Sequence, residues 1–162
     1  MRRIRAAIAA IIIASAAHAA AQAPSLKLIG LGGATKTLTV TELQALPQVE
    51  VADSSAEAGR LVFRGPTLRS VVSLIGAPEG RDLRGRSMMT VVVAEANDGY
   101  KVAYALAELD EQFGARTAIV ALTENGKPLA AQFGPLRIAM AGEAHRARWI
   151  RQLTTLRLVR VQ

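Results

Sequence analysis

Apolar residues along this chain recur mostly at every second position, in short segments broken by glycine and proline; helical spacing is rare. "SLKLIG" (25–30) and "KTLTV" (36–40) alternate as strands do, the second with Leu38 and Val40 on one face. "GLGG" between them lacks the spacing of a phosphate loop, and no long helix follows it, so it reads as a hairpin turn. Thr41 predicts a short helix over "TELQAL", with Gln44 completing a capping box and Pro47 ending it. "QVEVADSS" alternates and then dissolves into a polar loop that runs to Gly59, after which "RLVFRG" is another strand. "PTLRSVVSLIG" is the clearest helix: Pro66 sits in the first turn, Leu68, Val71, Val72 and Ile75 form one stripe, and Gly76 closes the end.

The second half continues in the same style. A polar loop, "APEGRDLRGRS", leads to a buried strand, "TVVVAEA", and the Asp-Gly turn "NDGY" joins it to "KVAYALAELDE", a strand that runs into a helical turn. "TAIVALTENGKPLA" reads as a strand followed by an Asn-Gly turn, and "GPLRIAM" as a short extended piece. "TTLRLVRV" is a terminal strand whose alternation fails at Val159, which predicts a bulge or burial on both faces there. About seven strands with two or three short helices predict a β-rich α+β domain. Strands and helices do not alternate evenly, which argues against a doubly wound sheet.

Composition changes the picture at the N-terminus. "MRRIR" followed by the apolar run "AAIAAIIIASAA" and the small residues "AHAAAQA" has the layout of a secretory leader, and the run is below the roughly 20 residues that span a bilayer. Residues 1–21 are therefore expected to be a signal peptide, 24–162 one domain, and the location periplasmic or secreted, with no anchor left after cleavage. The leader arginines, Arg2, Arg3 and Arg5, account for three of the +7 charges, leaving +4. That surplus suits small anions or an acidic partner and is too small to imply nucleic acid. The chain has no cysteine, which removes the thiol nucleophile, the thiolate metal ligand and the disulfide staple together.

Catalytic constellations do not assemble from spacing. The serines have one candidate base, His145, and no nucleophile-elbow sequence around them. Asp110 and Glu111 read as a solvated surface pair. Tyr100, after the Asp-Gly turn, is a candidate to point its hydroxyl into a pocket. Arg137, His145, Arg146 and Arg148 are the densest basic group, and arginine forks suit phosphate, sulfate or carboxylate oxygens. Trp149 beside them reads as a core anchor.

These residues carry a resemblance. "TENGKPLAAQFGPLRIAMAGEAHRARWIRQLTTLRL" resembles the C-terminal part of the molybdopterin-binding domain of sulfite-oxidase-type enzymes. The matching positions are Asn125, Gly126, Pro128 and Leu129; Gly134, Pro135 and Arg137; Gly142, His145 and Arg146; then Arg148 and Trp149. "DGYKVAYALAEL" is similar to the stretch whose tyrosine faces the metal-bound oxyanion, a role that would fall to Tyr100. "LTVTELQALPQVEV" and "LVFRGPTLRSVVSLIG" resemble the segments flanking the metal-ligand loop. The likeness covers most of residues 35–160.

The family holds molybdenum through one cysteine after the strand that looks like "PQVEVAD"; this chain has Asp53, Ser54 and Ser55 there. Oxygen ligands would not reproduce a thiolate's electron donation. The resemblance therefore implies a sulfite-oxidase-like fold kept as a non-redox anion- or pterin-binding or accessory module, a pseudoenzyme whose pocket draws on Tyr100, Arg137, His145 and Arg146. No cofactor is expected, and molybdopterin enters by resemblance only. Two alternatives stand beside it: an active molybdopterin-dependent oxidoreductase with Asp53 or Ser54 as substituted ligand, and a protein-interaction domain without a small-molecule site.

Overall fold

The computed structural model describes residues 23–53, 59–114, 116–143 and 145–162; the expected leader, Ser54 and Ser55 lie outside the described residues. Three sheets and two short α-helices make up the described chain, so the fold is α+β and β-rich. The first sheet begins with a hairpin of β1 (Ser25–Ile29) and β2 (Thr35–Thr39), and the Gly33 N–H bonds the Gly30 carbonyl in the turn between them. β1 also lies parallel to β11 (Leu153–Arg160), the last strand of the chain, which pairs antiparallel with β5 (Thr90–Ala96) and through it with β6 (Lys101–Ala105). The order β2-β1-β11-β5-β6 sets the two ends of the described chain side by side.

A second, antiparallel sheet runs β3 (Gln48–Asp53), β4 (Leu61–Pro66), β8 (Thr123–Glu124), β9 (Lys127–Pro128). Asn125 and Gly126 turn the chain between β8 and β9 with φ of 49° and 75°, the left-handed region that Asn-Gly supplies at least cost. Between the sheets, β7 (Ala118–Ala121) and β10 (Arg137–Met140) pair with each other, and every residue of both is buried. One core joins all three sheets: Leu28, Phe63, Val92, Ile119, Ile138 and Leu156 belong to a single packed cluster.

Local expectations were met where a signal was strong and displaced where pairing intervened. The first helix, α1 (Val40–Ala45), is capped two residues earlier than expected, by Thr39 and Glu42 rather than Thr41 and Gln44. The Glu42 N–H donates to Thr39 Oγ1 at 3.2 Å, and the Thr39 N–H donates to the Glu42 carboxylate at 2.7 Å. A charged acceptor in the first turn answers the helix dipole better than an amide, and β1–β2 pairing ends at Thr39. That pairing also takes Val40 out of the strand. The second helix, α2 (Leu68–Ser73), buries Leu68, Val71 and Val72 as its stripe requires, but Thr67 caps it, and Pro66 closes β4 opposite Gln48.

Three further expectations are corrected. "TAIVAL" is two strands rather than one, since Leu122 leaves β7 and donates its N–H to the Arg64 carbonyl, starting β8 in another sheet. The irregularity in β11 falls between Leu153 and Thr155, while Val159 pairs squarely with Val91, because β11 is central and paired on both edges. Asp110 is buried at 6% exposure. Arg69 draws it in (3.4 Å), and the Gly80 and Gln112 backbone N–H groups donate to its two oxygens. The expected loop over 77–87 carries tight 3-10 turns at Gly80–Asp82 and Gly85–Met89, the second running on to the start of β5. No helix of the described residues is long and apolar enough to cross a membrane.

Candidate functional site

Arg137 opens β10 opposite Ala121, in the most deeply buried strand pair of the fold. Its guanidinium carbon lies 5.0 Å from the ring centre of Phe63 on β4, 5.1 Å from Phe133 and 5.7 Å from Trp149. Phe63 and Trp149 meet edge to face at 5.4 Å, closing two sides of an aromatic box. Arg137 is only 7% exposed, and among the described residues no carboxylate pairs with its guanidinium and no side-chain hydrogen bond engages it. Among the described residues the Nε of Arg137 and the Nε1 of Trp149, both buried donors, have no acceptor. Burial pushes the guanidinium down from its ordinary value; Glu124 and Asp53 oppose the shift, and Arg146 and Arg151 add to it.

Magnitudes decide what such an arginine means. Desolvating an ion costs several kcal/mol after relaxation. A cation over an aromatic face returns about 2 kcal/mol or more when desolvated, so three rings go far toward offsetting that cost. What rings cannot supply is a hydrogen-bond acceptor for the buried Nε. An oxyanion would supply both charge and acceptors.

Arg146 flanks the box, with its guanidinium carbon 5.6 Å from the Trp149 ring. Its Nε donates to Asp53 Oδ2 at 2.5 Å and its Nη2 pairs with the same oxygen, so two donors grip one carboxylate oxygen. Asp53 itself is 7% exposed, at the end of β3. The Asp53 carboxylate is thus engaged by the protein's own arginine.

The loop that carries Arg146 is fastened from below. Tyr104 Oη donates to the Arg148 carbonyl, and Tyr100 Oη donates to the Ala147 carbonyl at 3.0 Å. Arg148 bonds Glu108 at 2.6 Å and Glu143 at 3.3 Å, and its guanidinium lies 4.8 Å from the Tyr104 ring centre. Arg116 donates to the same Glu143 oxygen at 3.2 Å. Burial pushes the Tyr104 phenol far above its ordinary value, with the Arg148 charge opposing, so this hydroxyl keeps its proton as a donor. Tyr104→Phe deletes that donor and leaves the Arg148 carbonyl with the Ile150 N–H alone (3.0 Å), a loss of about 1 kcal/mol. Thermal unfolding should show a lower Tm, and an unchanged Tm would leave the hydroxyl without a structural role.

The structure therefore gathers Arg137, Arg146, Trp149 and Asp53 at one place. Tyr100 sits at 51% exposure with its hydroxyl on the loop backbone, and His145 is exposed. Arg148 braces the loop. Sequence reasoning missed Phe63, Phe133, Tyr104 and Glu108. Only Tyr104 had a signal, because alternation with Val102 in "KVAYA" turns it inward.

No family model matches this chain, and no curated protein matches it. Among solved structures it is similar to a chain of the crystal structure of the sulfane dehydrogenase SoxCD from Paracoccus pantotrophus, with a TM-score of 0.64 and 13% sequence identity. The match covers 85% of this chain and 38% of that one, so the present chain spans well under half of its neighbour's length. At that identity the likeness is one of fold: the chain has a β-rich α+β architecture that it shares with this neighbour.

Proposed function

We propose that this chain is an exported, non-redox anion-binding or accessory module built on a sulfite-oxidase-like fold, and that Arg137 is its principal ligand contact. One observation carries the reading: a buried arginine in an aromatic box, with no carboxylate partner among the described residues, whose own Nε and the neighbouring Trp149 Nε1 are both donors without an acceptor there. Phosphate, sulfate or the phosphate of a pterin has the charge and oxygens that such a site lacks. Arg146 would add a second positive charge if the ligand drew it from Asp53.

A molybdenum–dithiolene centre does not fit these residues. The chain has no thiolate to hold it. Asp53, the substitute nearest the expected position, already neutralises Arg146. No redox step is assigned to this site. Metal analysis of protein purified from a host that makes the cofactor tests this directly, since stoichiometric molybdenum would restore the oxidoreductase reading.

Arg137→Met separates ligand binding from structure. Methionine keeps an apolar stem in the aromatic box and removes the buried charge, so the fold should be as stable as before or more so. Affinity for phosphate, sulfate or a pterin phosphate, followed by Trp149 fluorescence, should fall by about 1.5–3 kcal/mol. Unchanged affinity would remove Arg137 from the site. A large loss of stability would mean that the arginine serves the fold.

A further inference from the structure

A second group of arginines, sharing no residue with the Arg137 site, lies at one end of the five-stranded sheet. The tight turns Gly80–Asp82 and Gly85–Met89 carry Arg81 and Arg86, with Arg84 between them, all three exposed, while buried Leu83 pins the run to the core. Arg160 ends β11 opposite Thr90, the first residue of β5. Among the described residues none of these four has a carboxylate partner, whereas Arg69, Arg116, Arg146 and Arg148 each do. Asp82 is the one acidic residue within the run.

Apolar side chains stand among these charges. Met88 is 38% exposed, Met89 50% and Val161 45%. The Val161 N–H donates to the Met89 carbonyl at 2.9 Å, which brings the turn and the end of β11 together. Met88, Met89 and Val161 are thus exposed apolar side chains on adjoining segments that also carry the arginines, and contiguous exposed apolar surface beside charge marks a contact site.

We propose that this end of the sheet docks on an anionic lipid surface, with the arginines on lipid phosphates and Met88, Met89 and Val161 entering the headgroup–acyl boundary. Unpaired guanidinium forks are complementary to a plane of phosphates. Long methionines on a tight turn need a deformable surface rather than a shaped one. A stable protein partner needs about 800 Å² per side, centred on well-packed anchors, and three partly exposed side chains supply only a fraction of that. Lipid sets no such requirement, because interfacial binding grows with buried apolar area and with charge.

Co-sedimentation of the purified chain with vesicles tests the proposal, and carrying wild type and variants in parallel makes any contribution of residues 1–22 common to both. The wild type should partition into phosphatidylcholine vesicles containing about 30 mol% phosphatidylglycerol. It should not bind pure phosphatidylcholine, and binding should weaken as salt rises from about 50 to about 300 mM. Each arginine near such a surface is worth about fivefold in partitioning, so Arg84→Glu with Arg86→Glu should cost at least about 25-fold. Met88→Ser with Met89→Ser should also lower binding while keeping its salt dependence. Arg137→Met should bind vesicles as the wild type does, which separates this surface from the anion site. No binding to the anionic vesicles at low salt, as an acidic protein partner would predict, overturns the proposal. So does full binding by the double-glutamate variant.

Discussion

Gly65→Ala is expected to keep the chain from reaching its native fold. A Cβ on Gly65 would lie 1.9 Å from the Val120 carbonyl oxygen, 2.7 Å from its carbon and 3.0 Å from the Ala121 Cα. All three are backbone atoms, so no rotamer change relieves the overlap. β7 passes directly over β4 here, and the chain then returns to β4 at once, with the Leu122 N–H on the Arg64 carbonyl at 2.8 Å. Separating the strands by the ångström or more that a methyl needs would break that bond and open the core between Phe63 and Ile119. The loss should exceed about 4 kcal/mol, the range kept for mutations that force the core apart. Against a typical total stability of about 5–15 kcal/mol, little cooperative unfolding should survive. Gly32→Ala is the control: its Cβ meets nothing within 4 Å. Thermal denaturation by circular dichroism should find Gly32→Ala near wild type and Gly65→Ala without a native transition. A Gly65→Ala protein that melts like the wild type would contradict the close crossing of β4 and β7.

Asp110→Ala should cost about 3 kcal/mol, as expected when one partner of a buried ion pair is removed. Arg69 holds the Asp110 carboxylate at 3.4 Å and also bonds the Pro78 carbonyl and Glu79, while its Nη1 already lacks a partner. Truncating Asp110 would leave that buried charge leaning on exposed Glu79 and free the Gly80 and Gln112 N–H groups. The same carboxyl gives the fold a pH dependence. Burial acts to raise its pKa; the Gln112 and Gly80 N–H groups and Arg69 outweigh burial and hold it below the ordinary aspartate value. Its contribution is therefore complete above that ordinary value and is lost as pH falls through the lowered one. Acid titration of stability should show a steeper loss in the wild type than in Asp110→Asn. Parallel acid limbs would show that Asp110 is not a stabilising carboxylate.

Much of the fold was legible from periodicity. The hairpin at "GLGG", the stripe of α2, the alternation of β5 and the Asn-Gly turn are local, and local sterics or a two-residue repeat decide them. Where a segment had two acceptable readings, its neighbours chose. Thr39 and Thr41 are both good caps, and the end of β1–β2 pairing selected Thr39. "TAIVAL" is a plausible single strand, and the crossing at Gly65 cut it in two. Asp110 looked like solvent-facing turn chemistry until Arg69, 41 positions earlier, was folded against it.

The candidate site divides along the same line. Arginine spacing, the absence of cysteine and the order of motifs in "GPLRIAMAGEAHRARW" were enough to name Arg137, His145 and Arg146, with Tyr100, as candidates and to argue against a thiolate-held metal, because these are matters of which atoms the chain contains. Which arginine is buried and unpaired, which is neutralised by Asp53 and which braces a loop depended on Phe63, Phe133, Tyr104 and Glu108, contributed from distant parts of the chain. Charge and donor inventory are properties of composition; desolvation and pairing are properties of distance, and distances between remote residues exist only once the sheets have packed.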